Sequence, residues 1–250
     1  MSIIIDRFPS DKCYFDDYTI VAIDVIRAST TAVTAASAGR RCFAVASLEE
    51  AFQRQKEFPD CLLAGEIAGI MPEGFDLNNS PATLARRSDL QRPLVLLSSA
   101  GTKLMVESCI FADTYVACLR NYKAVAAHIA ERHDRIALLG AATHGEFREE
   151  DRLCCAWIAS ELVKCGHKPE NHETREVMEQ WSQASVEACT GGNSAAYLRR
   201  SGQLHDLEFI LSHVNDVVAV FRLADGELVC DTGTMTLEEQ PVEAPGPIAA

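Results

Sequence analysis

The sequence predicts an α/β fold with three layers, in which helices cover both faces of a largely parallel or mixed sheet. Short β-branched or apolar runs alternate with helix-forming segments along most of the chain. Alternation of this kind indicates strands that pair in parallel through crossover helices. With 250 residues, 48% of them hydrophobic, the chain is long enough to bury a sizeable core.

The predicted elements follow one another with short connections. Strands are expected near residues 18–25, 41–46, 61–65, 93–98, 114–118, 135–140 and 215–222. Helices are expected near residues 28–38, 48–57, 81–88, 102–109, 122–132, 149–164, 173–188 and 194–201. The clearest helix start is at Ser47, because the segment Ser47 to Glu50 has the sequence of a capping box.

The order of elements suggests an internal structural repeat. A strand, a polar loop and a helix recur in the same order from Tyr18 to Gly69 and from Pro93 to Asp151. This predicts one domain over residues 1–240, with two similar lobes, about 1–90 and 91–240, around one cleft, and a tail over 241–250. An undivided sheet is the alternative, because any α/β chain repeats strands and helices.

The first predicted strand ends in groups that bind ions. Asp24, Arg27, Ser29 and Thr30 lie where this strand gives way to a helix. A helix N-terminus offers free N–H groups and a partial positive charge to an anion. Asp24 could hold a divalent cation that bridges to such an anion, while Arg27 binds the remaining oxygens. The alternative is that Asp24 caps the helix and pairs with Arg27.

Two later loops have a similar composition. The loop after the 61–65 strand begins with Glu66 and ends with Ser80, which is predicted to cap the next helix. The loop after the 93–98 strand combines hydroxyl groups, Gly101 and Lys103, as in an anion-binding turn.

A third loop is acidic. Glu149, Glu150 and Asp151 open a predicted helix, where negative charge favours the helix dipole without any further role. His144, just before them, is a candidate general acid, since an imidazole titrates near neutral pH.

Five segments in order resemble the 2-phosphosulfolactate phosphatase family: IDVIRASTT, GEIAG, GFDLNNSP, SSAGT and EEDRLCCA. The resemblance spans most of the chain. It implies magnesium-dependent hydrolysis of a small acidic phosphomonoester, 2-phosphosulfolactate or a related 2-phospho-hydroxy acid. Mg²⁺ suits this chemistry because it takes oxygen ligands and neutralises phosphate charge.

The resemblance also assigns roles to residues, with the nucleophile left open between water and an aspartate. The expected metal ligands are Asp24, Glu66, Asp151 and Asp76, and the expected catalytic residues are Asp24, Arg27 and Lys103. The expected substrate-binding residues are Arg27, Ser29, Thr30, Asn79, Ser80, Ser99, Gly101, Thr102 and Lys103.

Three positions depart from the family pattern. Ile67 stands in place of an arginine, Asn78 in place of a glycine and Ala100 in place of an asparagine. Loss of charge-assisted donors worth about 1.5–3 kcal/mol each motivates an alternative, a weak or silent binder of small anions. A haloacid-dehalogenase-like phosphatase ranks lower, because Ile26 occupies the second acidic position of its D-x-D motif.

Charge and composition limit the partners. A net charge of −13 argues against nucleic acid and anionic membranes. The sequence shows no signal peptide and no membrane-spanning run, so a cytoplasmic location is expected. The ten cysteines form no C-x₂-C pair, which favours buried free thiols over zinc ligands or disulfides. A homodimer is one of the assembly states that the sequence leaves open.

Overall fold

The computed structural model describes residues 1–9, 17–109, 113–142 and 145–231. His144 and the predicted tail over 241–250 lie outside the described residues. Within the described ranges, the predicted α/β class is confirmed.

In the described part of the chain, ten strands form one sheet. They are β1 (Ser2–Phe8), β2 (Thr19–Ile23), β3 (Cys42–Val45), β4 (Leu62–Gly65), β5 (Leu94–Leu97), β6 (Thr114–Ala117), β7 (Arg135–Ala141), β8 (Lys168–Pro169), β9 (Phe221–Ala224) and β10 (Glu227–Cys230). Their order across the sheet is β4-β5-β3-β10-β9-β6-β2-β7-β1-β8.

The helices lie on both faces of this sheet. They are α1 (Ala28–Ser37), α2 (Leu48–Glu57), α3 (Pro81–Ala85), α4 (Gly101–Cys109), α5 (Tyr122–Ala130), α6 (Glu149–Lys164), α7 (His172–Trp181), α8 (Asn193–Arg200) and α9 (Leu204–Ser212), with a 3₁₀ helix over Val186–Gly191. Helices α1 and α4 pack on one face, and α2, α5 and α6 pack on the other.

Two parallel blocks of strands make up the sheet. The first contains β3, β4 and β5, and the second contains β1, β2, β6, β7 and β8. The antiparallel β9–β10 hairpin joins β6 to β3, so the two blocks run in opposite directions. Helices α1 and α4 connect strands of different blocks and share one buried core.

Each central strand buries both faces, as expected for a covered parallel sheet. In β2, Ile20 and Ala22 face the α1–α4 side, whereas Val21 and Ile23 face the α5–α6 side. A shift of one residue would exchange these two sets, so the apolar pattern fixes the register.

The way the strands are distributed between the two blocks bears on the predicted division into two lobes. β2 belongs to the second block although it lies before residue 90, and β5 belongs to the first although it lies after it. The division near residue 90 therefore does not follow the strand pairing, and the lobes stay a prediction.

Most element boundaries agree with the predicted ones within a few residues. The predicted 173–188 helix is in fact α7, a turn and a 3₁₀ helix, and the predicted 215–222 strand is displaced to the β9–β10 hairpin. Strand β1 and helix α9 were not predicted. β1 was missed because Ile3 to Ile5 form a short apolar run, which becomes a strand through pairing with the distant β7.

The cysteine prediction is confirmed where the structure tests it. No disulfide joins the cysteines among the described residues, and most of these thiols are buried. Separately, none of the described helices is long and apolar enough to cross a membrane.

Candidate active site

A cavity of about 650 Å³ lies where loops from both blocks meet. The loops after β2, β4, β5 and β7 contribute one wall, which includes Asp24, Glu66, Ser99 and Arg148. The N-terminal parts of crossover helices lie at these loops, as in other open α/β sheets that bind ligands beyond strand ends. Helix α8 contributes a second wall.

Asp24 is buried at the end of β2, directly beside the start of α4. A Cβ atom on Gly101 would lie only 2.0 Å from Oδ2 of Asp24, so only glycine allows this approach. Burial is the main cause that raises the pKa of Asp24 to about 7, and the charges of Glu66 and Glu150 add to it. A neighbouring cation would therefore stabilise the ionised form of Asp24.

Glu66 ties two loops together. Its carboxylate accepts hydrogen bonds from the Ser99 N–H at 2.8 Å, the Ser99 hydroxyl at 3.0 Å and the Gly69 N–H at 2.5 Å. These donors fix Glu66 in the cavity wall and leave part of its acceptor capacity free.

Two more acids lie at the start of α6. Oδ1 of Asp151 accepts a hydrogen bond from the Val25 N–H at 2.8 Å, which links α6 to the Asp24 loop. Burial raises the pKa of Asp151 well above its usual value, helped by the charges of Glu150 and Asp24. Burial also raises the pKa of Glu150, whose Oε2 has no hydrogen-bond partner among the described residues. An orphaned buried carboxylate oxygen is unusual and calls for a partner beyond the described residues.

The donor set fits Mg²⁺ in chemistry, although the described side chains form no ready-made group of three metal ligands. Mg²⁺ is commonly bound by one or two carboxylates, with waters and substrate oxygens completing its shell. Asp24 lines the cavity, and Asp151 is buried beside the Asp24 loop through its hydrogen bond from the Val25 N–H, so the two are the carboxylates best placed for this role. Asp76 lies away from them: it is exposed, outside the cavity lining, and its Oδ2 accepts from the Leu63 N–H at 2.9 Å.

Arg27 lines the cavity and is held by a residue that the sequence did not single out. Its Nη1 donates to Oδ2 of the fully buried Asp206 at 2.8 Å. Asp206 also accepts from the Ser80 hydroxyl at 2.7 Å and the Ala82 N–H at 3.1 Å. The α9 carboxylate therefore fixes the guanidinium and the start of α3 together.

Most of the predicted hydroxyl ligands are occupied within the protein. Ser29 donates to the Asp24 carbonyl, Thr30 to the Val25 carbonyl and Thr102 to the Ser98 carbonyl. These contacts shape the turns that open α1 and α4. Backbone N–H groups of the same turns are engaged as well: that of Ser29 donates to the Asp24 carbonyl at 3.0 Å and that of Thr102 to the Ser98 hydroxyl at 2.9 Å.

The other predicted residues divide between the cavity and the outside. Asn79 and Ser99 line it, and Asn79 accepts from the Thr31 hydroxyl at 2.7 Å. Lys103 does not line it; its side chain is 55% exposed and pairs with Glu107 on the outer face of α4. The lysine turns outward because it lies two positions past Gly101, the residue that packs on Asp24.

Several cavity residues were missed by the sequence interpretation. They are Glu146, Arg148, Asn193, Ser194, Tyr197 and Arg200. The last four lie on one face of α8, which is a short polar helix more than a hundred residues from Asp24 along the chain. No local pattern connects such a helix to a distant strand end.

The cavity brings a buried acid and a fixed guanidinium together, an arrangement that suits a phosphoric monoester hydrolase. The chain belongs to the 2-phosphosulfolactate phosphatase family: the sequence profile described as 2-phosphosulpholactate phosphatase matches residues 4–224. The resemblance in the motifs is thereby confirmed.

Individual relatives agree with this assignment. A probable 2-phosphosulfolactate phosphatase of Carboxydothermus hydrogenoformans is 30% identical over 94% of this chain and 99% of its own length. One of Clostridium perfringens is 29% identical over 83% of this chain and 87% of its own. One of Clostridium acetobutylicum is 33% identical, with a match that covers 56% of this chain and 60% of that protein.

Proposed function

We propose that this protein is a magnesium-dependent phosphatase that hydrolyses 2-phosphosulfolactate, or a related 2-phospho-hydroxy acid, to the hydroxy acid and phosphate. The observation that carries the proposal is a cavity lined by Asp24, Glu66 and Arg27, with the buried Glu150 and Asp151 close enough for their charges to interact with Asp24. The names of the relatives supply the substrate class.

Asp24 and Asp151 are the residues that would hold Mg²⁺. When bound, the ion would neutralise phosphate charge and favour attack at phosphorus. Its presence would also relieve the repulsion among the buried carboxylates, which raises their pKa values in its absence.

The protein's own groups bind and orient the ester. Arg27 is held by Asp206 and Gln203 through Nη1 and makes a long contact from Nη2 to Oδ1 of Asn78 at 3.4 Å, and its remaining N–H donors are available to phosphate oxygens. Glu66 holds the β4 and β5 loops together through the three hydrogen bonds that its carboxylate accepts from Gly69 and Ser99. The starts of α1 and α4 add the partial positive charge of two helix dipoles beside Asp24.

Phosphate release with and without magnesium tests the proposal. We expect magnesium-dependent turnover in the wild type and a loss of at least about 100-fold in Asp24→Asn, as for removal of a major charge-stabilising group. Asp60→Asn, a change at an exposed acid outside the cavity, is the matched control and should keep wild-type activity. Equal turnover with and without magnesium would contradict the proposed magnesium dependence.

A second test uses the pKa of Asp24, about 7 without a bound ion. Below pH 7 this carboxyl group is protonated and must release its proton to bind Mg²⁺, so affinity should rise from pH 6 to pH 8. Calorimetry in buffers of different ionisation enthalpy would report that proton release. Magnesium affinity that is independent of pH over this range would contradict the role of Asp24.

The alternative of a silent small-anion binder rests on Ile67 and Ala100, both of which line the cavity and offer no donor side chain. It predicts binding of sulfolactate or inorganic phosphate without turnover of any ester. The chain belongs to a family other than the haloacid-dehalogenase phosphatases, which removes that alternative.

A further inference from the structure

Helix α8 presents one face to the cavity. Asn193, Tyr197 and Arg200 are spaced by four and three residues, so they lie on the same side of the helix, and all three line the cavity. The Tyr197 hydroxyl donates to the Gly69 carbonyl at 2.6 Å. A Cβ atom on Gly69 would lie 2.4 Å from that hydroxyl, so α8 is seated tightly against the β4 loop.

The cavity contains three arginines, and their partners differ. Arg27 pairs with Asp206, and Arg148 pairs with Glu146 at 2.6 Å. Arg200 makes no ion pair or hydrogen bond with the described part of the chain, although the protein carries a net charge of −13. An arginine that lines a cavity without a protein acid beside it is available to an anionic ligand.

The neighbouring arginine on α8 differs in this respect. Nη1 of Arg199 donates to the Thr190 carbonyl at 2.7 Å, and Arg199 does not line the cavity. Two adjacent residues of one type thus have different surroundings, which offers a matched pair for experiment.

The two walls of the cavity differ in what they can bind. The strand-end wall has Asp24, Arg27 and the helix N-termini, which suit a phosphate with its counterion. Ile67, on the same wall, is 44% exposed and apolar, so it offers no charge to a second anionic group. The unpaired guanidinium is on the α8 wall. A small ester bound by its phosphate at the first wall would find the guanidinium of Arg200 in the same cavity, available to its other acidic group.

We propose that Arg200 binds the second acidic group of the substrate, a carboxylate or a sulfonate, and so selects phosphoesters of small acids. The inference rests on the proposed phosphatase function and adds a specificity-determining residue to it. A guanidinium matches either group, because each presents two oxygens to its planar fork.

The test compares three phosphoesters: 2-phosphosulfolactate, phospholactate, which lacks the sulfonate, and isopropyl phosphate, which lacks both acids. We expect Arg200→Ala to raise KM for 2-phosphosulfolactate by about 10- to 100-fold, with kcat changed less than threefold. KM for isopropyl phosphate should change less than twofold. Arg200→Lys should restore part of the effect, and Arg199→Ala should behave like the wild type.

The two acidic substrates identify the group that is bound. A KM increase for phospholactate as well assigns the carboxylate, and an increase for 2-phosphosulfolactate alone assigns the sulfonate; both support the proposal. An equal KM increase for isopropyl phosphate, or no change with any ester, would overturn it.

Binding of sulfolactate, measured by calorimetry, separates this proposal from the phosphatase function. If no ester is turned over but sulfolactate binds more weakly to Arg200→Ala than to the wild type and Arg199→Ala, the role of Arg200 stands without the enzymatic activity. Equal binding by all three proteins would overturn it. Thermal melting shows whether each variant is folded.

Discussion

Gly101 shows how closely two loops approach at the site. Its Cα faces Asp24, and an added Cβ would lie 2.7 Å from the Cβ atoms of both Asp24 and Ala28. These neighbours belong to the rigid junction of β2 and α1, so they cannot move aside cheaply.

We therefore expect Gly101→Ala to cost about 1–3 kcal/mol of stability, as for other overpacked sites, and to abolish most activity by displacing Asp24. Chemical denaturation and phosphate release would measure the two effects. Gly191→Ala is the control, because nothing lies within 4 Å of an added Cβ there. Similar behaviour of the two variants would show that the close approach is unimportant.

Asp206 is the other residue on which the site depends. It is fully buried, and it joins Arg27, Ser80 and the α3 backbone. Loss of its charge would leave a buried guanidinium without an ionised partner, which is far more costly than loss of a surface pair.

For Asp206→Asn we expect a loss of about 3–5 kcal/mol in the free energy of unfolding, together with weaker phosphate binding. Asp216→Asn is the comparison, since Asp216 pairs with Arg120 near the surface and its loss should cost about 1 kcal/mol or less. Urea denaturation measures both. A small effect in Asp206→Asn would mean that Arg27 is held by its other contacts.

At the scale of one element, α2 shows how far a local motif can determine structure. Oγ of Ser47 accepts from the Glu50 N–H at 3.1 Å, and Oε2 of Glu50 accepts from the Ala46 N–H at 2.8 Å. The predicted boundaries of this helix are confirmed, because its start depends only on residues within four positions of each other.

Ser47→Ala should lower the free energy of unfolding by about 1 kcal/mol, because the Glu50 N–H loses its acceptor. Ser47→Asp keeps an acceptor and should remain close to the wild type. Guanidinium denaturation followed by circular dichroism would distinguish them. Equal losses in both variants would show that the cap contributes little.

At the scale of the whole molecule, the β9–β10 hairpin is the connection within the sheet between the two parallel blocks. Phe221, Leu223 and Leu228 of the hairpin are buried in the same core as α1 and α4. The two blocks therefore share apolar contacts and should unfold together.

Phe221→Ala removes a buried aromatic ring from that shared core, and we expect a loss of about 3–5 kcal/mol with a single unfolding transition retained. Val218→Ala, at a residue that is 71% exposed, should change stability by less than about 0.5 kcal/mol. Circular dichroism and tryptophan fluorescence should give coincident curves. Two separate transitions would show that the blocks fold independently.

The sequence by itself determined the α/β class, most helices and strands, and the family. It also identified cavity residues that follow strand ends directly, such as Asp24, Arg27, Glu66 and Ser99. These features depend on short-range periodicity and on the rule that ligands bind beyond strand ends, both of which can be recognised in consecutive residues.

Only the tertiary structure decided which distant elements meet at that site. It paired Asp206 with Arg27 and brought α8 to the cavity, and it left Lys103 and Asp76 outside the cavity lining. The position of β1 was also decided by its pairing with β7. The physical reason is that side-chain direction and long-range contact depend on how the sheet and helices pack together, and no local pattern of residues records that packing.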